Sequence, residues 1–406
     1  MAADQLIPRL FRTEYSKMVA VLCKTYGLTN IQLAEDIVSD TFMIATETWG
    51  LKGIPQSPTA WLYTVAKNKT KDHFKHDKVF ADKVAPDLQR ETSATTSELH
   101  FTDDNIADSQ LLMLFAVCNP ILPAESQVAL ALRVLCGFGI DEIAHAFLSN
   151  KETINKRLSR AKSTFKTQKI ELKAPSGEAL ETRIDHVLAV LYLLFNEGYY
   201  SSSSSHSLKK DLCLEAMRLN YLLLENPSTN LPKTNALMAL LCFHSSRFDE
   251  RMDNQGDLVL YADQDQGNWD NELIEKGECY LQRSAQGEAT KYHLEAGISF
   301  WHTKPEGKDK WENILQLYNQ LLQIEYSPII ALNRTYALSK ANTKQEAIAE
   351  ALKVDLTENH LYHALLADLY ESIDQYKQKQ HLQAAIKLAN NESEKRLLQT
   401  RLDHLE

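Results

Sequence analysis

Glycine and proline are scarce in this chain, at 13 and 11 of 406 residues, against average usages of roughly 7 % and 5 %. A sandwich or barrel spends both on its turns, so the deficit favours helices joined by short loops. Long hydrophobic runs are missing too. The longest, residues 187–195, has nine members, well short of the roughly 18 that a membrane span needs. The opening Met1-Ala2-Ala3-Asp4-Gln5 has no basic stretch leading into an apolar one, which argues against export. The six cysteines (Cys23, Cys118, Cys136, Cys213, Cys242, Cys279) include no C-x-x-C pair. In a chain this long they are expected as buried thiols in a reducing cytoplasm, not as staples or zinc ligands. H-E-x-x-H, G-x-G-x-x-G and G-x-x-x-x-G-K-S/T are all absent, which speaks against zinc-peptidase, dinucleotide and P-loop chemistry. The expectation is a soluble, intracellular, all-α protein with no cofactor, no metal and no enzymatic activity.

What is present fits that outline. Hydrophobic residues make up 44 % and charged residues 24 %, ordinary globular values, and the length allows two or three folded units. The net charge of −10 conceals an asymmetry. Residues 1–173 carry 21 Lys+Arg against 20 Asp+Glu, whereas residues 174–406 carry 23 against 34. Within the first part, residues 61–83 hold six lysines against three acids, and residues 149–173 hold eight basic residues against two acids. The stretch between them is acidic. Two compact basic blocks so separated can meet a polyanion at two places.

Apolar periodicity organises the chain. Leu10, Tyr15, Met18, Val19 and Leu22 form one helical stripe, and after the Thr29-Asn30 start signal Ile31, Ala34, Ile37, Val38, Thr41, Phe42, Ala45 and Trp49 form another. Residues 50–58 read as a loop, followed by a helix with Trp61, Leu62, Val65 and Ala66 on one face. Residues 81–105 are polar and weakly periodic, and read as a linker. Periodicity returns over 106–172, where a short helix at 140–147 leads into a turn and a basic amphipathic helix. Ser149 and Glu152 match an N-terminal capping box. Ile154, Leu158, Ala161 and Phe165 are expected inward, with Lys151, Thr153, Asn155, Lys156, Arg157, Arg160, Lys162 and Lys166 on the other faces. Short helix, turn and basic helix make a helix-turn-helix layout. A third unit is expected from 173 to 406, jointed at 170–175. In it a 34-residue step aligns Ile298, Leu332 and Leu366, then Ile314, Ile348 and Leu382, then Tyr318, Leu352 and Ile386. Thirty-four is the tetratricopeptide spacing.

The N-terminal 170 residues resemble bacterial RNA polymerase sigma factors of the extracytoplasmic-function group. Ala34-Glu35-Asp36-Ile37-Val38-Ser39-Asp40-Thr41-Phe42 is similar to the helix of sigma domain 2 that docks on the polymerase clamp. Residues 58–68 with Asp72 resemble the adjoining promoter-reading helix, and residues 141–144 through 157–162 resemble the helix-turn-helix of sigma domain 4. The remainder resembles the subgroup with a long helical-repeat extension, in residues 190–199, Asp263-Gln264-Asp265, Trp269-Asp270 and residues 327–334. The resemblance implies domain 2 at 1–80, a linker at 81–105, domain 4 at 106–172 and a regulatory extension at 173–406. It implies binding to the beta-prime clamp and beta flap of core RNA polymerase, to double-stranded promoter DNA and to the melted −10 strand.

The candidate residues follow. Docking wants an acidic, partly apolar exposed helix face, for which Glu35, Asp36, Asp40 and Glu47 are candidates. Duplex opening wants cations for phosphates, from Lys67, Lys71 and Lys75, with Asn68 a further candidate beside them, and the loop 49–57 is implied by the resemblance as the place where an unstacked base is held. Trp61 reads as core more than as a stacking platform. Major-groove reading at the −35 element falls to Lys151, Thr153, Lys156, Arg157, Arg160 and Lys162. Asn196, Glu197, Tyr199, Asp263 and Asp265 form a candidate site in the extension, or else caps and buried hydrogen-bond networks. The extension is expected to contact the sigma domains and set their availability. The rival is a helix-turn-helix regulator with a ligand- or protein-binding repeat domain; it leaves residues 34–42 and 58–72 unexplained.

Overall fold

The computed structural model describes residues 3–84, 99–147, 149–200, 206–251, 259, 261–389 and 392–405. It is all-helical, with no strand among the described residues. No helix in them is long and apolar enough to cross a membrane. Two compact units divide the chain, residues 1–223 and 224–406.

Unit 1 is built around α1 (Ala3–Tyr26). Every side chain from 18 to 23 is essentially sealed from solvent, which a helix achieves only when neighbours cover it on all sides. On one side lie α2 (Ile31–Lys52) and α3 (Pro58–Val84). On the other lie α4 (Asp103–Val117) and the turn that follows α5 (Ala124–Leu130). Thr102 caps α4 by accepting from Asn105 N. Helix α5 runs into a π turn, Ala131–Leu135, closed by Cys136 N donating to Ala131 O at 3.1 Å. Gly137, at φ +69, then turns the chain into α6 (Ile140–Ala146), a conformation that a side chain would strain. Helix α7 (Lys151–Thr167) buries Ile154, Leu158, Ala161 and Phe165, as its periodicity requires.

Three expectations are corrected here. The N-cap of α7 is Asn150, not Ser149: Asn150 is extended and its Oδ1 accepts from Thr153 N at 2.8 Å. The linker is shorter than 81–105, because α3 continues to Val84 and α4 begins at Asp103; residues 85–98 lie outside the described residues. The compact units do not part at 170–175. Helices α8 (Glu178–Tyr200) and α9 (His206–Glu225) begin in unit 1. Arg183 of α8 donates to Phe115 O and Arg218 of α9 donates to Leu135 O at 2.6 Å, so both helices cap carbonyls of the unit 1 core. The serine run 201–205 lies outside the described residues.

Unit 2 contains α10 (Pro232–Ser245), α11 (Asn271–Arg283), α12 (Lys291–His302), α13 (Lys308–Ile324), α14 (Pro328–Ala341), α15 (Lys344–Ala351), α16 (His360–Tyr370), α17 (Gln375–Leu388) and α18 (Glu392–Asp403). From α12 on, each helix packs on the next, and α14 also on α16, the nearest-neighbour arrangement of a quasi-one-dimensional stack. Ile298, Leu332 and Leu366 are buried on α12, α14 and α16. Ile314 and Leu382 are buried on α13 and α17, with Ile348 half-buried. Leu352 breaks its row: α15 ends at Ala351, so Leu352 lies past the helix and is exposed. Gly277 lets α11 approach Phe243 closely; a Cβ there would meet the ring at 2.7 Å.

Candidate functional site

Helix α2 presents one polar stripe to solvent. Asp36, Asp40, Met43, Glu47 and Leu51 follow one another at steps of four, three, four and four residues, which places them along one helix face. Asp36 and Glu47 are exposed, Met43 is 60 % and Leu51 88 % exposed, and Asp40 is half open while paired to Lys69 at 2.8 Å. Met43 and Leu51 escaped the sequence reading. Their signal was there: both fall out of phase with the buried set Ile37, Val38, Thr41, Phe42, Ala45 and Trp49.

Glu35 does not share that face. It is 3 % exposed and sits in a cluster drawn from four elements. Its Oε1 accepts from Tyr15 Oη of α1 at 3.1 Å and from Arg133 Nε of the π turn at 3.0 Å, while its Oε2 is ion-paired with Lys162 of α7. Arg133 also donates to Phe138 O at 3.1 Å and lies over the Tyr15 ring. Lys162 reaches Gln32 Oε1 at 2.8 Å. Burial and the nearby Glu35 carboxylate raise the Tyr15 phenol well above its ordinary pKa. A buried carboxylate needs such partners, because an uncompensated charge in the interior is expensive. Arg133 was missed as well. An arginine inside the apolar run 128–135 is itself a sign that a buried acid awaits it.

On α3, Trp61 is half-buried and packs edge-on against buried Trp49, with ring centroids 5.4 Å apart. Lys67, Lys71 and Lys75 recur every fourth residue with Asn68 beside them; Asn68, Lys71 and Lys75 are exposed and Lys67 is half-buried. Helix α2 runs to Lys52, so the loop between α2 and α3 is residues 53–57, with Ile54 at its surface.

On α7, Lys151, Thr153, Lys156 and Arg160 are exposed. Lys151 pairs with Asp141 of α6 at 2.5 Å. Arg157 is half-buried, paired with Glu125 of α5 and lying over the Phe147 ring. Lys162 is drawn out of the solvent-facing set by Glu35, leaving its side chain 16 % exposed.

Of the five candidates of the extension, Asn196, Glu197 and Tyr199 belong to unit 1 and Asp263 and Asp265 to unit 2. Glu197 is half-buried and its carboxyl is raised by desolvation. Tyr199 stacks on Phe195. Asp265 spends its carboxylate on Gly267 N at 2.9 Å, and Asp263 is exposed. Among the described residues no group of three or more His, Cys, Asp or Glu could hold a metal ion. Five of the six cysteines are buried, and Cys279 is exposed.

Residues 11–79, covering most of α1, all of α2 and most of α3, match sigma-70 region 2. The N-terminal part of the chain thus carries a sigma-70 region 2. A second match, residues 183–285, is to a family of unknown function, DUF6596, and includes residues of both units. Over 389 residues the chain is 32 % identical to an uncharacterized protein of Rhizobium meliloti (strain 1021), covering 93 % of this chain and 90 % of the relative; the two belong to one family. No solved structure matches.

Proposed function

We propose that this chain, which carries a sigma-70 region 2 at its N-terminal end, is an alternative sigma factor of the extracytoplasmic-function type. The observation that carries the reading is the open acidic and apolar stripe Asp36, Asp40, Met43, Glu47 and Leu51, lying within the region 2 match. A rigid helix with acids at its margins and two exposed apolar side chains is a docking surface for a basic, partly apolar partner, here core RNA polymerase. Lys67, Lys71 and Lys75 on α3 supply cations toward the melted −10 strand, with the Asn68 amide beside them. The helix-turn-helix formed by α6 and α7 addresses the −35 element through Lys151, Thr153, Lys156, Arg157 and Arg160. Unit 2, with its tetratricopeptide-like stack of helices, regulates the availability of these surfaces in the manner of a built-in partner.

In vitro transcription with purified core enzyme and a genomic fragment library tests the main reading. Defined start sites that appear only when the chain is added are expected. A chain that neither binds core polymerase in the absence of DNA nor directs initiation is instead a plain DNA-binding regulator. The regulatory role of unit 2 is tested by truncation after Glu225, because an earlier cut would strip α8 and α9 from the unit 1 carbonyls that Arg183 and Arg218 hold. Unaltered transcription by the truncated chain removes that role.

A further inference from the structure

The turn between α9 and α10 and the C-terminal end of α11 frame a cleft of about 500 Å³, within the usual size of a small-molecule site. Every residue that lines it belongs to unit 2. Two charges of opposite sign are among them, Glu225 at the end of α9 and Arg283 at the end of α11. Both side chains are exposed, and among the described residues neither makes an ion pair, with the other or with a third group. Opposite charges that share a cleft without meeting leave room for a molecule that carries both signs itself.

The same cleft is lined by Asn235, which is 4 % exposed. Both its amide hydrogens are spent: Nδ2 donates to Asn230 Oδ1 at 2.7 Å and to Leu231 O at 3.0 Å. Its Oδ1 accepts from no described residue. A buried carbonyl oxygen without a donor is costly, and native proteins retain few of them. Asn230, which holds the amide, is exposed and lines the cleft as well. With that side chain swung outward, an occupant's N–H reaches Asn235.

We infer that this cleft is a binding site for a small zwitterion, an α-amino acid or a short peptide with free ends. The carboxylate goes to Arg283, whose planar fork matches it, and the ammonium to Glu225. Asn235 Oδ1 takes an N–H of the ligand, and Leu224, Pro227 and Pro232 offer apolar surface to its side chain. The frame is pinned in place. Asn226 O accepts from Thr229 N at 3.0 Å and from Asn230 N at 2.9 Å, and Asn226 Oδ1 accepts from Ser228 N at 3.0 Å. The two prolines fix their own φ angles. Arg283 lies over the Tyr280 ring, 5.5 Å from its centroid. A site ordered in advance loses less freedom when it binds.

Calorimetric titration of the full chain tests the site, with the standard amino acids and free-ended dipeptides and tripeptides as probes. At least one is expected to bind with a dissociation constant below about 1 mM, and which class binds separates the two sources. Amidating the carboxylate or acetylating the ammonium of that binder is expected to weaken it about tenfold or more, as the loss of a charged hydrogen bond does. Arg283→Gln and Glu225→Gln are each expected to weaken the unblocked ligand to the same extent. Both positions are exposed, so the variants are expected to keep the wild-type melting temperature without ligand. In Arg283→Gln the amidated and free ligands should bind alike, and in Glu225→Gln the acetylated and free ones, which assigns each end to its residue. A panel in which nothing binds overturns the site, as does a binder indifferent to either variant or to the blocking of either end. Binding is read without polymerase or DNA, so the site and the sigma-factor reading stand or fall separately.

Discussion

Glu35 and Arg133, 98 positions apart in the chain, meet at 3.0 Å in the interior of unit 1. A second cation, Lys162, sits on the other oxygen of the same carboxylate. The pairing joins α2, the helix that carries the stripe from Asp36 to Leu51, to the turn that precedes α6 and α7.

Removing the acid is costlier than replacing the whole group. Glu35→Ala leaves Arg133 without its carboxylate and Tyr15 without its acceptor, and is expected to destabilise unit 1 by about 3–5 kcal/mol. The triple variant Glu35→Leu, Arg133→Met and Lys162→Met removes all three charges and is expected to recover most of that loss. Urea unfolding of the full chain reads both. Equal losses in the single and triple variants would show that the group is not coupled.

The two arginines of α7 are expected to differ. Arg160 is exposed, whereas Arg157 is held by Glu125 and the Phe147 ring. Arg160→Ala is expected to weaken promoter binding by about 1–3 kcal/mol, the range for a bidentate base contact. Arg157→Ala is expected to lose part of its effect to the broken contact with α5, visible as a lower melting temperature. Fluorescence anisotropy with cognate promoter DNA separates the two. Undiminished affinity in both would take α7 out of the recognition role.

Acid is expected to weaken unit 2 before carboxylates begin to titrate. Burial, with Arg247 and Arg251 nearby, pushes His244 down to about 3; burial, with Arg247 and Lys310, does the same to His302. Unfolded histidine titrates near 6.5, so below that pH the unfolded chain binds protons that the folded chain refuses. Stability is full above pH 6.5 and is lost as pH falls toward 3, by about 1.4 kcal/mol per unit for each histidine. His293 and His381 are lowered as well and act in the same direction. Between pH 7 and 5.5 the two deepest histidines together should cost about 3 kcal/mol, read by urea unfolding followed by tryptophan fluorescence. A midpoint that stays constant over that interval contradicts the placement of these rings.

Gly277→Ala is expected to destabilise unit 2 by about 1–3 kcal/mol, the usual cost of overpacking. The added methyl would lie 2.7 Å from the Phe243 ring, which is itself buried and has nowhere to swing. Calorimetry of the full chain should show a lowered transition. An unchanged one would mean that α11 does not approach Phe243 so closely.

Local pattern carried the sequence reading far. The buried face of α7 was legible because Ile154, Leu158, Ala161 and Phe165 keep helical spacing, and the α2 core face was legible for the same reason. Where two residues compete for one local role, pattern chose wrongly: Ser149 and Asn150 are both good caps, and only the backbone shows that Asn150 is the one turned toward Thr153 N. Long-range pairing was beyond reach. Nothing near Glu35 in sequence announces Arg133 or Lys162, so an acid on a polar-looking helix was read as exposed. The division of the chain was hidden for a related reason: the partners that tie α8 and α9 to unit 1, Phe115 O and Leu135 O, are backbone atoms.

The widened turn at Ala131–Leu135 accommodates one residue more than an α-helix of the same rise would hold. Were a single position deleted there, the segment would rewind as a regular α-helix and the side chains within it would be re-aimed by up to about 100°. The Arg133 guanidinium would then swing off the carboxylate it serves, although no charge had been altered. The length of this short segment, as much as its chemistry, therefore keeps the two halves of unit 1 in register.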